Sequence, residues 1–410
     1  MSSPTVLEVA GHEVTVTHPD RLVFPEAGHT KLDLIRYYLA TADGALRGVV
    51  GRPMIMKRYK QDIHDEAFFQ KRAPKNRPPW VEVVTLRYRS GGVADEVVPR
   101  SAADLAYVVN LGCVDLNPHP VQAEDLDRPD ELRIDLDPVP GVEWQQILDV
   151  ALVVRGVLED HGLTAWPKTS GSRGFHIYSR IEPRWPYRDV RTAAESVARE
   201  VENRAPDLAT SKWWKEERQG VFVDFNQNAK DRTVASAYSV RPTVDARVST
   251  PVTWAEVPSC RPEAYTLRTV LERFDAIGDP WRDMDTSTGS LEALLELGER
   301  LGPAEKPPKS TGRRQSSKPL IEIARARTKA EARKGFDRWA ARHPSVAAYL
   351  QPADTLVDGM RGRSSVWYRI RVNLEHVPEA ERPPQEPLEV DYNPWEGVTW
   401  PDSRSSGVDA

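Results

Sequence analysis

Cysteine is scarce in this chain. Of its 410 residues two are cysteine, Cys113 and Cys260, and they lie far apart in the sequence. This spacing excludes a framework of disulfides and a cysteine-rich zinc motif. Any metal ion must therefore be bound by oxygen atoms or by histidine.

Long apolar runs are absent too. No stretch reaches the roughly eighteen apolar residues of a membrane span, and the opening MSSPTVLEVAGHEV lacks the basic and apolar regions of a signal peptide. We therefore expect a cytoplasmic protein that does not bind membranes. The length indicates two or three domains, and nothing in the sequence suggests an oligomeric interface, so we expect a monomer.

A positive net charge is missing as well, because the formal value is −5. This argues against a protein that coats nucleic acid with its whole surface, but not against a local basic groove. One basic cluster is KRYKQDIHDEAFFQKRAPKNR, in which Lys57, Arg58 and Lys71 lie near Phe68 and Phe69. Aromatic and cationic side chains together suit single-stranded DNA ends. The phenylalanines could equally be core residues, and the pattern leaves both interpretations open.

The segment ELRIDLDPVPG contains two carboxylates on one strand face. Apolar residues alternate with polar ones, which predicts a half-buried strand with Arg133, Asp135 and Asp137 on its polar face. Adjacent like charges are costly unless a cation lies between them, and a divalent metal is the usual one. A strand end with two solvated aspartates is the alternative for so short a motif.

Two further segments favour a metal site over a pair of solvated aspartates. Asp224 ends the apolar run of VFVDFNQ, so it can join the first two aspartates from a neighbouring strand. Between these strands lies KTSGSRGFHIYSR, whose small residues allow close approach to an anion. Its candidate phosphate contacts are Ser170, Ser172, Arg173 and His176. His176 alone would more often be a core histidine, but the cluster indicates a nucleoside triphosphate bound for phosphoryl transfer.

These motifs resemble the archaeo-eukaryotic primase superfamily, in particular the polymerase domain of bacterial non-homologous end-joining DNA ligases (LigD-type) and its stand-alone actinobacterial relatives. The matching stretches are HPDRLVFPEAGHTKLDLIRYYL, RPMIMKRY, FFQKRAP, ELRIDLDPVPG, TSGSRGFHIY and VFVDFNQNAKDRTVASAYSVRP. They follow one another over roughly residues 5 to 275. The family pattern of Asp-x-Asp, Ser-Gly-x-Arg/Lys-Gly-x-His and a third acidic residue is complete.

The resemblance implies an α+β fold. Its parts would be an N-terminal α/β subdomain with the DNA-end elements (1–130), a catalytic primase-polymerase core with an RRM-like antiparallel or mixed sheet backed by helices (131–300), a basic Pro/Ser-rich linker (301–319) and a C-terminal extension of unknown role (320–410).

The resemblance also implies a template-directed nucleotidyltransferase that fills short gaps and extends DNA ends in repair. It would accept ribonucleotides readily and use two ions of Mn²⁺, or of Mg²⁺. Asp135, Asp137 and Asp224 would be the catalytic metal ligands. The triphosphate would contact Ser170, Ser172, Arg173, His176, Arg218, Gln227 and Arg241.

DNA contacts are implied near the N-terminus. Arg21 and Lys31 match a pocket for the 5′-phosphate beyond a gap, and Phe68 and Phe69 match a stacking pair. Lys57, Arg58 and Lys71 would follow the DNA backbone. Partners would be 5′-phosphorylated gaps or ends, NTP or dNTP substrates, and a Ku-type end-binding protein or a separate ligase.

Some positions depart from the family. RYKQD stands where the fused enzymes often have Arg-Tyr-Pro and a following Gly, and Arg21 stands where Lys is frequent. LVDGMRG resembles a ligase adenylation motif, but Leu356 replaces the nucleophilic lysine, so we interpret it as coincidence. A non-catalytic module that binds 5′-phosphorylated ends remains the alternative function, and a metal-dependent nuclease is a third.

Overall fold

The structure is a computed structural model that describes residues 3–88, 91–304, 316–361, 366–394 and 396. The chain forms two compact units, which are Met1–Ser211 with Gln219–Lys306, and Lys212–Arg218 with Pro307–Ala410. The predicted linker, 301–319, falls mainly on residues 305–315, which lie outside the described residues. The other predicted domain boundaries stay a prediction.

The N-terminal part of the first unit combines an antiparallel sheet with small hairpins. Its strands are β1 (Thr5–Val9), β2 (His12–Val16), β3 (Leu22–Phe24), β4 (His29–Thr30), β5 (Met54–Arg58), β6 (Phe68–Gln70), β7 (Val83–Arg87), β8 (Val93–Val97) and β9 (Cys113–Pro118). The larger sheet has the order β6-β5-β8-β7, with β9 also paired to β5. Its helices are α1 (Lys31–Ala40), α2 (Ala42–Arg47) and α3 (Ala102–Asn110). At the start of α3, Asp104 accepts a hydrogen bond of 2.9 Å from the backbone N–H of Ser101, which closes that helix end.

The second part of this unit is a five-stranded sheet of order β11-β12-β10-β14-β13. Its strands are β10 (Glu131–Pro138), β11 (Trp166–Thr169), β12 (Phe175–Arg180), β13 (Ala209–Thr210) and β14 (Val221–Asp224). The accompanying helices are α4 (Trp144–Asp160), α5 (Tyr187–Arg204) and α7 (Glu292–Leu301), whereas α6 (Leu267–Ile277) packs into the N-terminal core against α1. Helices and largely antiparallel sheets thus share one unit, and the predicted α+β class is confirmed.

Side chains on both faces of strand β10 are buried. Leu132, Ile134 and Leu136 are buried in one core with residues of α4 and α5, as alternation predicts. The expectation of a half-buried strand is wrong at the first residues, since Arg133 on the polar face is 1% exposed. Its guanidinium donates to the buried carboxylate of Glu131 at 2.6 Å, and this pairing permits its burial.

The second unit has its own core. Its elements are β15 (Leu320–Ala326), α8 (Lys329–Arg342), α9 (Pro344–Tyr349), β16 (Thr355–Arg361), β17 (Val366–Asn373) and β18 (Val390–Asp391), in a sheet of order β16-β17-β15-β18. The side chain of Trp339 is buried at its centre. The short segment Lys212–Arg218 belongs to this unit, where Lys215 donates to the carbonyl of Val357 at 2.7 Å. Among the described residues, no helix is both long and apolar enough to cross a membrane.

Candidate active site

Three carboxylates meet because their strands are neighbours. Strand β10 pairs antiparallel with β12 on one side and with β14 on the other. In this register Asp135 lies opposite His176 on β12 and opposite Asp224 on β14. Cross-strand partners on one face are within reach of each other. The predicted acidic residues are therefore brought together by sheet pairing.

The acidic group suits a divalent cation. Asp135, Asp137 and Asp224 each offer a carboxylate oxygen, and these oxygens lie within 4.8 Å of one another. The backbone N–H of Asn226 and the amide of Gln227 donate to Asp224, each at 2.8 Å, and hold its orientation. Hard oxygen ligands of this kind fit Mn²⁺ or Mg²⁺. Burial raises the pKa of Asp135, against the opposing charges of Lys168 and Arg241.

The loop between β11 and β12 is shaped by close contacts of its backbone. The hydroxyl oxygen of Ser170 accepts hydrogen bonds from the N–H groups of Ser172 at 3.1 Å and Gly174 at 3.0 Å. A Cβ at Gly174 would lie 2.6 Å from the carbonyl oxygen of Leu136, so only glycine fits there. The loop is thus packed directly against the strand that carries Asp135 and Asp137.

Most of the predicted site residues line one cavity of about 360 Å³. Its lining includes Asp135, Asp137, Ser170, Ser172, Arg173, His176, Gln227 and Arg241, together with Lys57 and Phe69. It therefore contains carboxylates, an anion-binding type of loop and cations on one surface. The individual roles of these residues stay predictions.

Asp115 is a cavity residue that sequence reasoning missed. It is 1% exposed, and its Oδ2 lies 3.5 Å from Lys57 Nζ and 3.6 Å from an Arg241 nitrogen. A carboxylate buried between two cations orients both of them. Its local signal in the sequence is a single acidic residue within the apolar strand CVDLNP.

Lys168 is a second missed residue. It lies fully buried on β11, and its ammonium is 2.7 Å from Nδ1 of His176. On the other side of the ring, Nε2 of His176 is 3.2 Å from an oxygen of Asp135. Burial lowers the pKa of Lys168 and of His176 well below their usual values. The only sequence hint was a lysine inside a strand that otherwise reads as buried.

Arg21 and Lys31 line a small cavity of their own near the N-terminus. The ammonium of Lys31 donates to Asn110 Oδ1 at 2.9 Å and to Thr17 at 3.1 Å. Burial, followed by repulsion from Arg21, lowers the pKa of Lys31 to about 8. This cavity has a volume of about 10 Å³, and the predicted binding of a 5′-phosphate by Arg21 and Lys31 stays a prediction.

The two phenylalanines are surface residues. Phe68 is 38% and Phe69 is 63% exposed, which excludes the core interpretation. The guanidinium of Arg58 lies 5.1 Å from the ring centre of Phe68, and the ammonium of Lys71 lies 3.4 Å from that of Tyr88. Tyr88 is buried, so the exposed aromatic rings here are those of Phe68 and Phe69, with Arg58 beside the first. Exposed rings close to cations suit base stacking on single-stranded DNA.

Arg218 is placed differently from the other predicted triphosphate contacts. It belongs to the segment Lys212–Arg218 of the second unit. Its guanidinium donates to the backbone carbonyls of Lys212 at 3.0 Å and Trp213 at 2.8 Å. Its contact with a nucleotide stays a prediction.

An acidic triad on antiparallel strands beside a glycine-containing anion loop is typical of nucleotidyl transfer. Residues 30–281 match the LigD primase-polymerase domain, so this chain belongs to that family of nucleotidyltransferases. The predicted family and its fold are thereby confirmed.

Two relatives and one solved structure support the same family assignment. The chain is 33% identical over 314 residues to the multifunctional non-homologous end joining DNA repair protein LigD of Mycobacterium tuberculosis, covering 72% of this chain and 40% of the relative. It is 30% identical to the LigD protein of Pseudomonas aeruginosa, covering 69% of this chain and 34% of the relative. The chain thus spans well under half the length of these relatives. The polymerase domain from Mycobacterium tuberculosis ligase D in complex with DNA is 32% identical, with a TM-score of 0.63, covering 67% of this chain and 99% of that one.

Proposed function

We propose that this protein is a template-directed DNA/RNA polymerase of the primase-polymerase type that fills short gaps and extends DNA ends during end-joining repair. The convergence of three carboxylates beside the Ser170–Gly174 loop carries the proposal. Membership of the LigD primase-polymerase family supports it.

Asp135, Asp137 and Asp224 would hold two ions of Mn²⁺, or of Mg²⁺. When bound, the ions would supply positive charge where negative charge develops on the transferring phosphoryl group. The protein's own contribution is positioning, since phosphoryl transfer depends mainly on orientation and on electrostatic stabilisation. Gln227 keeps Asp224 turned toward the other two carboxylates through its 2.8 Å hydrogen bond.

The triphosphate would lie on the loop between β11 and β12. Backbone N–H groups, the hydroxyls of Ser170 and Ser172 and the guanidinium of Arg173 can donate to phosphate oxygens there. Arg241 lines the same cavity and is held by Asp115, so it would add a second fixed cation. His176 completes the proposed set within the first unit. Ribonucleotides would be preferred to deoxyribonucleotides.

DNA would contact the N-terminal part of the first unit. Arg21 and Lys31 would receive the 5′-phosphate beyond a gap, and the exposed rings of Phe68 and Phe69 would stack on the neighbouring base. The relative solved in complex with DNA supports a DNA-binding surface on this domain. A Ku-type protein or a separate ligase would be its protein partner.

Primer extension on a duplex with a one- to three-nucleotide gap tests the proposal. We expect extension that stops when the gap is filled, is faster with NTPs than with dNTPs and with Mn²⁺ than with Mg²⁺, and vanishes in the Asp135→Ala, Asp137→Ala double variant. Asp275→Ala, on an exposed position of α6, is the matched control and should extend normally.

Absence of extension by the wild type under every metal and nucleotide condition would refute the polymerase. If the same protein bound the 5′-phosphorylated gap tightly, the alternative of a non-catalytic end-binding module would replace it. Cleavage of the primer in place of extension would instead indicate a nuclease.

A further inference from the structure

Glu96 is a buried carboxylate outside the candidate active site. It lies on β8 and is 0% exposed. One of its oxygens accepts a hydrogen bond from the hydroxyl of Tyr88, and Nε2 of His119 lies 3.0 Å from the other. Burying a carboxylate is costly unless partners compensate for the lost water. The phenol is one of these partners, so the hydroxyl end of the Tyr88 ring is anchored.

A cation lies over the face of this ring. The ammonium nitrogen of Lys71 is 3.4 Å from the ring centre of Tyr88. This is well inside the roughly 6 Å within which the quadrupole of an aromatic ring attracts a cation. Tyr88 is 8% exposed, whereas Lys71 is an exposed residue. The contact therefore joins an anchored, buried ring to a lysine on the surface.

The backbone near Lys71 is attached to the hairpin that carries this ring. Lys71 directly follows β6, and the ring follows β7, which pairs with β8. The N–H of Ala73 donates to the carbonyl of Asp95 at 2.8 Å. The guanidinium of Arg72 donates to the carbonyl of Val93 at 3.0 Å. Both acceptors belong to β8, so the next residues of the chain hold the lysine beside the hairpin.

Lys71 also lies in the segment proposed to contact DNA. It comes two residues after Phe69, whose ring is 63% exposed. A lysine loses rotamer freedom when it binds a phosphate, and a side chain that is already held in place loses less. The face of a ring attracts a cation without adding a formal negative charge. Tyr88 can therefore orient the ammonium without cancelling the charge that a phosphate needs.

We propose that Tyr88 is a positioning residue that holds the ammonium of Lys71 in place to bind a phosphate of DNA at the exposed rings of Phe68 and Phe69. The chain of contacts runs from the buried carboxylate of Glu96 through one aromatic ring to a surface cation. The phosphate contact rests on the proposed function, whereas the placement of Lys71 over the ring does not.

A structural role alone is the competing explanation, because Tyr88 also belongs to a small core with Leu86 and Ala94. A tyrosine that only fills this core would affect folding and stability. Its effect on DNA affinity would be independent of the side chain at position 71, so substitutions at the two positions would add. Positions that act through one contact give less than the sum of their separate effects.

The first measurement needs no DNA. The full chain is labelled with ¹³C at the ε-carbon of lysine, and the signal of Lys71 is identified by its loss in Lys71→Met. Protons above the face of an aromatic ring are shifted upfield. We therefore expect the ε-protons of Lys71 to lie upfield of those of Lys75, another exposed lysine of the same segment. The upfield shift should persist in Tyr88→Phe and disappear in Tyr88→Leu.

Tyr88→Phe is the matched control for Tyr88→Leu. Both variants remove the hydroxyl that donates to Glu96, so both leave that buried carboxylate without the same partner. Only phenylalanine keeps an aromatic face under the ammonium of Lys71. A difference between the two variants therefore reports the ring face and not the hydrogen bond.

The second measurement is binding of a 5′-phosphorylated gapped duplex, followed by fluorescence anisotropy at several salt concentrations. Lys71→Met should reduce the slope of log K against log salt by about 0.7–0.9, as expected for one phosphate contact. Tyr88→Leu should bind roughly fivefold more weakly than Tyr88→Phe. This difference should shrink to less than about twofold when both carry Lys71→Met, and it should persist when both carry Lys75→Met.

The absence of an upfield shift for Lys71 in the wild type would overturn the proposal, even if Tyr88→Leu failed to fold. Equal DNA affinities of Tyr88→Leu and Tyr88→Phe would overturn it too, as would additive effects of Tyr88→Leu and Lys71→Met. Failure of the proposed polymerase is a separate result. A wild type that extends no primer but shows the expected shift and the expected coupling would remove the polymerase and leave the role of Tyr88.

Discussion

Glu131 is the first residue of β10, the strand that carries Asp135 and Asp137, and its carboxylate lies among three arginines. We expect Glu131→Gln to destabilise the first unit. Glu131 is 1% exposed. It accepts from Arg133 at 2.6 Å and pairs with Arg180, and Arg52 lies 3.6 Å away. The three guanidiniums hold the pKa of Glu131 far below its usual value, overcoming the opposing effect of burial.

The size of this destabilisation depends on which partners each arginine keeps when Glu131 is replaced by glutamine. Arg52 keeps Asp130 at 2.5 Å and Arg180 keeps Asp285 at 2.9 Å. Arg133 keeps the carbonyl of Pro118 at 3.1 Å, which carries no charge. Breaking a buried ion pair typically costs about 3–5 kcal/mol. Glutamine retains one acceptor oxygen, so we expect about 3 kcal/mol, or roughly 6 °C in melting temperature for a unit of this size.

The pH dependence has a defined sign. A carboxyl group with a depressed pKa in the folded state stabilises the protein above its unfolded pKa of about 4.3, and this contribution is lost as the pH falls toward the folded value. The advantage of wild type over Glu131→Gln should therefore shrink below pH ~4.3, by about 1.4 kcal/mol per pH unit.

Differential scanning calorimetry of both proteins at several pH values measures this difference. Glu159→Gln is the control, since its ion pair with Arg155 is 2.7 Å long but exposed, and it should cost about 0.5 kcal/mol or less. A cost for Glu131→Gln near that of the control, or a difference that stays constant down to pH ~3, would refute this account of the cluster.

Three further predictions concern the proposed activity. Gly174→Ala would place a Cβ 2.6 Å from a carbonyl oxygen of β10 and push the loop away from the strand that carries Asp135 and Asp137. Single-turnover extension should then fall by roughly tenfold or more, and an unchanged rate would contradict the packing argument. Because burial and Arg21 lower the pKa of Lys31 to about 8, preference for a 5′-phosphorylated gap should weaken as the pH rises through that value. Lys31→Arg, which stays charged, should show no such weakening in anisotropy titrations, and a flat wild-type profile would exclude Lys31 as a contact of the 5′-phosphate. Phe69→Ala should cost about 1–3 kcal/mol of binding to gapped DNA, whereas Val244→Ala, at a residue 54% exposed, should cost nothing; equal affinities would show that Phe69 does not stack.

Local sequence signals were sufficient for much of the fold. Alternation along β10 predicted that Leu132, Ile134 and Leu136 face the core, and the contact of Ser101 with Asp104 at the start of α3 is equally local. These features depend on interactions within a few residues, where spacing alone determines which side chains meet. The burial of Arg133 was not predictable in this way, because its guanidinium is also covered by the ring of Tyr178 and the carbonyl of Pro118, which come from other strands.

The sequence by itself determined the acidic triad, the glycine-containing loop and the membership of a polymerase family, since each depends on the type and order of residues along short segments. The tertiary structure alone decided that Asp115 and Lys168 belong to the same site. Both are ordinary charged residues in their own strands. They acquire a role because strand pairing and loop packing bring Asp115 against Lys57 and Arg241, and Lys168 against Ala235 and Ser249, all of which are remote in the chain. Contacts of that range follow from the whole fold, and no local pattern encodes them.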